Sequence, residues 1–452
     1  MDQQQQSKST PASGRSRLRV VLALALPIIA GMASQNVLNL VDTAMVGAVG
    51  PTALAAVGIG GFASFMAVAA ITGLSIGVQA MAARRTGEGR LAVAAVPLNG
   101  GLLLALVLAL PLSALLIWQA PVFFPYLNAD PAVIAAGVPY VQARLVCMVA
   151  VGMNFAFRGY WNGVGRSMIY MRTLLVMNAA NVVFNYVLIF GKFGFPALGA
   201  LGAGIGTSAA TILGTIYYLY LGLSHARGNG FLAAWPDREG LWTMLRLAVP
   251  TSIQQFFFAA GFTLLFWIIG RIGTLEVAVS NVLVNLALVL ILPGLALGFA
   301  AASLVGQALG RGEPEDARRW AWDVVKVALA VMGVLALPMI LMPDLILAAF
   351  LHQPETVTLG RLPLRIVGAM ALIDAVGMVL LHALSGAGAT RQTMVVSVSI
   401  QWFLFLPAAW LAGPVLGLGL VGIWSCFIAY RALQAAVLVA LWRRGRWARI
   451  KL

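Results

Sequence analysis

Twelve long apolar stretches alternate with short segments that carry the charged residues and most of the turn formers. Each stretch holds about 20 or more residues, the length that an α-helix needs to cross the hydrocarbon core of a bilayer. Outer-membrane strands would instead alternate over segments of about ten residues. The pattern therefore predicts an all-α polytopic membrane protein with twelve spans, at residues 18–46, 53–82, 91–118, 135–157, 171–191, 199–223, 244–270, 276–304, 322–347, 362–384, 393–413 and 416–441.

The first six stretches are similar to the last six. "LALPIIAG" around Pro27 matches "LAVPTSIQ" around Pro250, a spacing of 223 positions (250 − 27), and the same spacing relates Gly87 to Gly310 and Gly163 to Gly386. Because six is an even number, both copies enter the bilayer from the same side. The repeat predicts two six-helix bundles related by a pseudo-two-fold axis along the membrane normal, an architecture typical of secondary transporters. The chain contains no GxxxxGK[ST] motif for ATP binding.

The net charge of +15 comes from basic clusters that fall between alternate stretches. An excess of Lys and Arg marks cytoplasmic loops, so we expect an inner (plasma) membrane protein with both termini in the cytoplasm, and no nucleic-acid partner. The predicted organisation is a disordered tail (1–17), a first bundle (18–223), a cytoplasmic linker (224–243), a second bundle (244–441) and a basic tail (442–452). The two cysteines lie in apolar runs and the three histidines are scattered, which predicts neither a metal-dependent enzyme nor a cofactor.

Asp42 and Asp374 are the acidic residues that lie well within apolar stretches. An ionised Asp near the centre of a membrane helix costs about 2.5–3.5 kcal/mol on insertion scales, and such residues usually face a cavity or a polar partner. At the repeat spacing their counterparts are Leu265 and Val151, so the shared fold does not require either acid. We therefore predict that both are site residues, the alternative being a structural hydrogen bond between helices.

A second polar group lies on the fifth and sixth stretches. Asn181 and Asn185 are four residues apart and share one helical face, with Thr207 on the next stretch. These side chains are suited to coordinate a cation or to hydrogen-bond Asp42; ordinary contacts between helices are the alternative.

Amide and aromatic side chains gather on the first stretch of each half. We expect Gln35, Asn36, Asn39, Gln254 and Gln255 to line a central cavity, with aromatic surface at Phe256–Phe258 and Trp267 for organic cations. Packing between helices is again the alternative for the aromatic residues.

The order and spacing of these motifs resemble the multidrug and toxic compound extrusion (MATE) family over nearly the whole chain. The resemblance lies in "ALPIIAGMASQNVLNLVDTAMVG", "RGYWNGVGRS", "NVVFNYVLIFGKFGFPALGALGAGIGT", "LVGQALGRGE" and "DAVGMVLLHALSGAGATRQTM". It implies a first-half cation site at Asp42, Asn181, Asn185 and Thr207, which would hold Na⁺ if the coupling ion is a metal. Asp374 matches an aspartate of the NorM-like branch, whereas Phe258 stands where that branch often has a glutamate.

The resemblance and the buried acids together predict a monomeric antiporter that exports organic, cationic drugs or metabolites against inward H⁺ or Na⁺. Neutralisation of Asp42 by the entering cation is the expected coupling step. A flippase for lipid-linked precursors would need several basic residues in its cavity, whereas almost every basic residue here maps to a loop or the end of a span, the exceptions being Arg144 and Arg431. A channel would not need two buried acids without repeat counterparts.

Overall fold

The computed structural model describes residues 14–351 and 353–452, which form helices and connections without a β-strand. Eleven helices of this part of the chain are long and apolar enough to cross a membrane, and a pair bent by 46° makes a twelfth span. The twelve predicted spans are thus confirmed. Their bounds are α1 (Gly14–Gly47), α2 (Pro51–Gly87), α3 (Val96–Leu127), α4 (Pro131–Val146 and Met148–Gly163), α5 (Ser167–Phe190), α6 (Gly199–His225), α7 (Arg238–Gly270), α8 (Thr274–Gly310), α9 (Pro314–Leu341), α10 (Pro354–Gly386), α11 (Thr390–Val415) and α12 (Gly419–Arg444).

Most helices run past the predicted ends of their spans, because the sequence encodes good helix starts beyond the apolar stretches. Asp130 accepts a hydrogen bond from the Ala132 amide at 2.8 Å and caps α4, and Asp237 caps α7 in the same way through Gly240. The cap at Asp237 shortens the predicted linker. Residues 1–13 of the predicted tail lie outside the described residues, whereas Gly14 already begins α1, so the tail prediction was wrong for residues 14–17.

Three helices are irregular where the apolar pattern predicted regular ones. α2 has a turn between Ala69 and Gly73, and α4 bends at Cys147. α11 contains two π-helical segments, Ile400–Phe405 and Leu411–Val415. Such π turns frequently occur at functional sites. Hydropathy measures how apolar a segment is and does not report its hydrogen-bond register, so none of these irregularities was predicted.

The repeat appears in the structure as two matching contacts between the bundles. A Cβ atom on Gly87 would collide with the backbone of Gln307, and one on Gly310 would collide with the backbone of Arg84. The two contacts are equivalent in the repeat, because Gly310 lies 223 positions after Gly87 and Gln307 lies 223 positions after Arg84. A Cβ atom on Gly163 would likewise collide with the backbone of Gln79 in α2, and one on Gly386 with the backbone of Ala302 in α8. The predicted pseudo-two-fold relation therefore holds at the level of backbone contacts.

All hydrogen bonds between the two bundles, among the residues described, lie in one half of the molecule. We call this half the basic end, because it holds Arg17, the α2–α3 and α8–α9 connections and the last residues of the chain. Arg17 pairs with Asp316 at 2.7 Å and with Asp323 at 2.6 Å. The other bonds are donated by Gly73 to Ser252, by Gln79 to Phe299 and Ser303, by Arg84 to Leu309 and Ile450, and by Gln307 to Gly163. The bundles are thus fastened together at the basic end.

Candidate transport site in two polar cavities

Each bundle encloses a cavity among its helices. The first cavity measures about 430 Å³ and is lined by α1, α2, α4, α5 and α6, with Leu292 of the second bundle at its edge. The second cavity is smaller, about 150 Å³, and is lined by α7, α8, α10, α11 and α12. The volume of the first falls within the range of pockets that bind drug-sized molecules.

Asp42 is joined to the two asparagines predicted to accompany it. Asn185 is fully buried, and its Nδ2 donates to Asp42 Oδ1 and to Asn181 Oδ1, both at 2.8 Å. Asn181 lines the first cavity, so hydrogen bonds connect the cavity wall to the carboxylate. Asp42 forms no ion pair with any described residue. The structure therefore brings Asp42, Asn181 and Asn185 into one hydrogen-bonded group, which we call the Asp42 cluster.

The Asp42 cluster has unused hydrogen-bonding capacity. Asn185 Oδ1 is buried and has no partner among the described residues. It packs against Gly206, where a Cβ atom would collide with the amide oxygen, so the glycine makes room for Asn185. Thr207, one residue along α6, lines the cavity and donates its hydroxyl to Ala203 O at 2.8 Å. The lone pairs of its hydroxyl oxygen remain available, although the structure shows no direct bond from Thr207 to Asp42.

Other amide side chains extend the polar wall of the first cavity. Gln35 and Asn36 line it. The prediction of a single central cavity was wrong, because Gln254 and Gln255 line the second cavity instead. Asn39 lines neither cavity: its side chain is exposed outside both. The three- and four-residue spacings put Asn39 on the same side of α1 as Asn36 and Gln35, but one turn farther along, where Leu38 lines the cavity instead. Asn178, which the sequence analysis did not single out, lies one turn before Asn181 and donates to Ser34 Oγ at 2.9 Å.

Two arginines also line the first cavity. Arg144 was expected inside a span, but Arg158 was assigned to a basic connection and instead lies in the second half of α4. The predicted span ended at residue 157, because a basic cluster follows. Arg158 lies between the rings of Phe155 and Phe299, with its Cζ 4.7 and 5.1 Å from their centroids. The aromatic residues beside it were the signal that it belongs to the helix.

The acid of the second cavity has a different environment. Asp374 is buried and pairs with Arg431 of α12, whose Nε lies 2.5 Å from Asp374 Oδ1. Arg431 also donates to Gln434 Oε1 at 2.8 Å, and Gln434 donates to Ser397 Oγ at 2.9 Å. Asp374 was expected to be a carboxylate without a basic partner on its own helix; the partner comes from another helix. A buried guanidinium thus compensates its charge.

The remaining predicted residues of the second half meet in the same cavity. Gln254, Gln255 and Phe258 line it from α7. Late in the two halves the repeat spacing is 220 positions, as from Gly199 to Gly419, and this spacing makes Gln401 the counterpart of Asn181. Gln401 lies in the first π segment of α11 and donates to Phe258 O at 3.3 Å. Gly261 leaves the space that the Gln401 amide fills. The second cavity therefore joins an ion pair, amides and aromatic rings.

The two halves of the chain match one known family. The sequence profile of the MatE family matches residues 27–187 and again residues 250–411, two segments that begin at the repeated prolines and together cover more than half of the chain. The chain belongs to the MATE family. MATE proteins are membrane transporters and not enzymes, and the helices described above agree with this class.

Individual relatives cover nearly the whole chain. The multidrug resistance protein MdtK of Yersinia enterocolitica is 27% identical over 447 residues, 95% of each chain. A solved structure described as the outward-facing conformation of a multidrug resistance MATE family transporter has a TM-score of 0.87 with 21% identity, covering 98% of this chain and 100% of that one. A crystal structure of MATE in complex with MaL6 has a TM-score of 0.86. These structures share the two-bundle fold of this MATE protein.

Proposed function

We propose that this MATE protein is a secondary active antiporter of the inner membrane, which exports small organic compounds while H⁺ or Na⁺ moves inward. The Asp42 cluster carries the proposal: a carboxylate inside a membrane helix, hydrogen-bonded to the Asn185 amide and without a basic ion-pair partner among the described residues. Such a group is costly in a bilayer and usually marks an ion or substrate pathway. The Yersinia relative is named a multidrug resistance protein, which supports organic compounds as cargo.

Access to the cavities alternates between the two sides of the membrane in this proposal. The bundles are fastened at the basic end, where the positive-inside rule places the cytoplasm together with both termini. The structure then corresponds to an outward-facing state, closed toward the cytoplasm. Rocking of the two bundles about their interface exposes the cavities to the cytoplasm. A monomer suffices for this mechanism, because both bundles belong to one chain.

The Asp42 cluster favours H⁺ over Na⁺ as the coupling ion. The amide nitrogen of Asn185 lies between the oxygen atoms of Asp42 and Asn181 and donates to both. A metal ion needs oxygen ligands, so Na⁺ would require the Asn185 amide to rotate and turn its unpaired Oδ1 toward the site. A proton on Asp42 requires no such rotation. Either ion would neutralise Asp42 and shift the equilibrium between the two access states.

The sequence favoured cationic substrates partly because Asp374 was expected to carry an unpaired negative charge. Asp374 is paired with Arg431 and offers no uncompensated negative charge. What still supports organic cations is aromatic surface: Phe258 and Phe262 lie against one another in the second cavity, with centroids 5.0 Å apart. Cation–π contacts with such rings are worth about 0.5–2 kcal/mol.

The antiport proposal is tested by imposing one gradient at a time on proteoliposomes. We expect accumulation of ethidium, a permanent organic cation, to require a proton gradient and to be unaffected by a Na⁺ gradient at constant pH. Accumulation driven by Na⁺ alone would overturn the preference for H⁺ and indicate rotation of Asn185. Passive flux that follows the substrate gradient, with no dependence on either ion, would contradict antiport altogether.

A further inference from the structure

The basic tail, residues 442–452, connects the two bundles at the basic end. The main-chain oxygen of Ile450 accepts a hydrogen bond at 3.2 Å from Nη2 of Arg84, on α2 of the first bundle. Leu452 packs against the core of that bundle. On the other side, a Cβ atom on Gly388, in the α10–α11 connection of the second bundle, would lie within 3.0 Å of both tail side chains. The tail therefore lies across the interface between the bundles.

Aromatic stacking fixes the fold of the basic tail. Trp442 and Trp447 are both buried, and their rings stack with centroids 3.9 Å apart and an angle of 6° between their planes. The indole Nε1 of Trp447 donates to Trp442 O at 2.8 Å. Gly445, between them, has a φ of 69°, a left-handed conformation that favours glycine, and it ends α12. The main chain of the tail is thus held in place by its indole rings.

All basic side chains of the tail are exposed, and their charge is not compensated. None of them forms an ion pair with a described residue, and the tail contains no acidic residue. They are Arg443, Arg444, Arg446, Arg449 and Lys451. The tail therefore turns its indole rings toward the protein and its positive charge away from it.

The shared fold does not require this charge. At the 220-position spacing of the late repeat, the tail corresponds to residues 222–232, which contain a single arginine, Arg227. The counterpart of Ile450 is Gly230, whose carbonyl accepts a hydrogen bond at 2.8 Å from Asn99 of its own bundle. The segment after the first bundle is thus weakly charged and bonded to one bundle, whereas the basic tail contacts both. The positive-inside rule asks only for basic residues near a span and does not explain a folded segment across the interface.

The partner that fits this surface is an anionic lipid of the cytoplasmic leaflet. The tail follows directly on α12, so it lies next to the headgroups on the side that the positive-inside rule assigns to the cytoplasm. Clusters of several basic residues directly after a membrane helix bind anionic headgroups. We infer that anionic lipid headgroups bind the exposed basic side chains of the tail and favour the state that is closed at the basic end. This inference goes beyond antiport and does not depend on the coupling ion.

Lipid binding favours closure because the tail contacts both bundles in the closed state. Separation of the bundles at the basic end breaks the bond from Arg84 to Ile450 and removes Leu452 from the first bundle. A ligand shifts a conformational equilibrium only through its different affinity for the two states. The folded tail presents its charges together, whereas a released tail disperses them, so headgroups bind the closed state more tightly.

Binding of lipid to the purified protein is the first test. Native mass spectrometry measures how much lipid the protein retains during titration with dioleoylphosphatidylglycerol, which is anionic, or dioleoylphosphatidylcholine, which is zwitterionic. Each basic residue near an anionic surface is worth about fivefold in binding. Arg446→Gln/Arg449→Gln should therefore need at least about tenfold more phosphatidylglycerol than the wild type for equal retention. Equal retention by the two proteins, or no preference of the wild type for phosphatidylglycerol, would overturn the inference.

Arg227→Gln/Arg238→Gln is the matched control. It also removes two exposed arginines without an ion pair in the described part of the chain, but from the other side of the repeat. This variant should retain phosphatidylglycerol as the wild type does, and a loss equal to that of the tail variant would overturn the assignment to the tail. Arg443→Gln/Arg444→Gln gives the same test if the first tail variant fails to fold. Displacement of the lipid by an equal concentration of glycerol 3-phosphate would overturn the assignment to a membrane lipid.

A distance measurement tests the effect on closure. Spin labels at Glu88 and Glu315 in a variant without native cysteines report the separation of the bundles at the basic end. Transfer from phosphatidylcholine to phosphatidylglycerol nanodiscs should raise the ratio of short to long distances at least about threefold in the wild type and leave it unchanged in Arg446→Gln/Arg449→Gln. Lipid that binds the tail without changing this ratio would overturn the effect on closure. Neither measurement needs an ion gradient, so failure of antiport would leave both results unchanged.

Discussion

The two cavities arise from copies of one sequence unit, yet their acidic residues have different surroundings. In the first, Asp42 accepts a hydrogen bond from Asn185, and neither arginine of the cavity forms an ion pair with a described residue. In the second, Asp374 and Arg431 neutralise each other and are tied to Gln434. The shared backbone contacts at Gly87 and Gly310 show that the scaffold was kept while the sites diverged. Asp42 in the first half is therefore suited to bind and release a cation, whereas the Asp374–Arg431 pair in the second half keeps both of its charges.

The strongest test of this difference replaces each acid by asparagine. Asp42→Asn fixes the first site in a neutral form that imitates the protonated state, so gradient-driven accumulation should fall at least about tenfold while exchange without a gradient persists. Binding of substrate to this variant should also become independent of pH, unlike the wild type. Asp374→Asn should retain coupling, with a lower yield of folded protein. Accumulation assays in proteoliposomes at matched protein content measure both.

Asp344→Asn is the control for the change of an aspartate to asparagine. Asp344 is half-exposed and pairs with the half-exposed Arg361, away from both cavities. Transport by this variant should match the wild type. Uphill transport by Asp42→Asn at the wild-type rate would leave Asp42 as a structural residue and remove the basis of the coupling mechanism.

The next largest effect concerns stability in the second cavity. Removing one partner of a buried ion pair leaves an uncompensated charge and typically costs about 3–5 kcal/mol. Arg431→Gln should therefore lower the free energy of unfolding strongly, and Asp374→Asn/Arg431→Gln should recover much of the loss, because no charge is left unpaired. Thermal unfolding of the purified wild type, the two single variants and the double variant measures these changes in stability. Additive losses in the double variant would show that the two side chains do not act as a pair.

A smaller effect separates the polar faces of the two halves. Asn181 and Gln401 are repeat counterparts at the 220-position spacing. Asn181 belongs to the Asp42 cluster, however, whereas Gln401 donates to the Phe258 carbonyl. Asn181→Ala should shift the cation concentration for half-maximal transport by about three- to tenfold, the value of one or two hydrogen bonds. Gln401→Ala should lower thermal stability and leave that concentration unchanged. A shift of equal size in both variants would show that the second half also senses the coupling ion.

The sequence was sufficient for the fold and for the identity of the Asp42 cluster. Helices in a bilayer must satisfy their own backbone, so apolar length predicts them well, and the four-residue spacing of Asn181 and Asn185 predicts their shared face. The sequence was insufficient to predict the ion pair of Asp374, because its partner Arg431 is 57 residues away and nothing in the neighbouring sequence indicates the pairing. It also failed for Arg158, because a basic residue at the end of an apolar run resembles a loop residue until its aromatic neighbours are seen.

The smallest expected effect lies at the basic end, where the two halves also differ. Arg17 fastens α1 to α9 through Asp316 and Asp323, but its repeat counterpart is Gly240, so the second half has no equivalent ion pair. Partly exposed pairs are worth about 0.2–1 kcal/mol. Arg17→Gln should therefore increase the population open at the basic end by no more than about fivefold.

Spin labels at Glu88 and Glu315, both exposed at the basic end, report this opening as a longer distance between α2 and α9 in a variant without native cysteines. The difference between wild type and Arg17→Gln should shrink at about 1 M salt, where the screening length falls to about 3 Å. Arg361→Gln breaks an exposed pair within the second bundle and should leave the distance unchanged. If Arg17→Gln opens the basic end by far more than fivefold, the symmetric glycine contacts contribute little to closure. The ion pairs of Arg17 would then be the main interaction that holds the two bundles together at the basic end, although the other contacts there are symmetric.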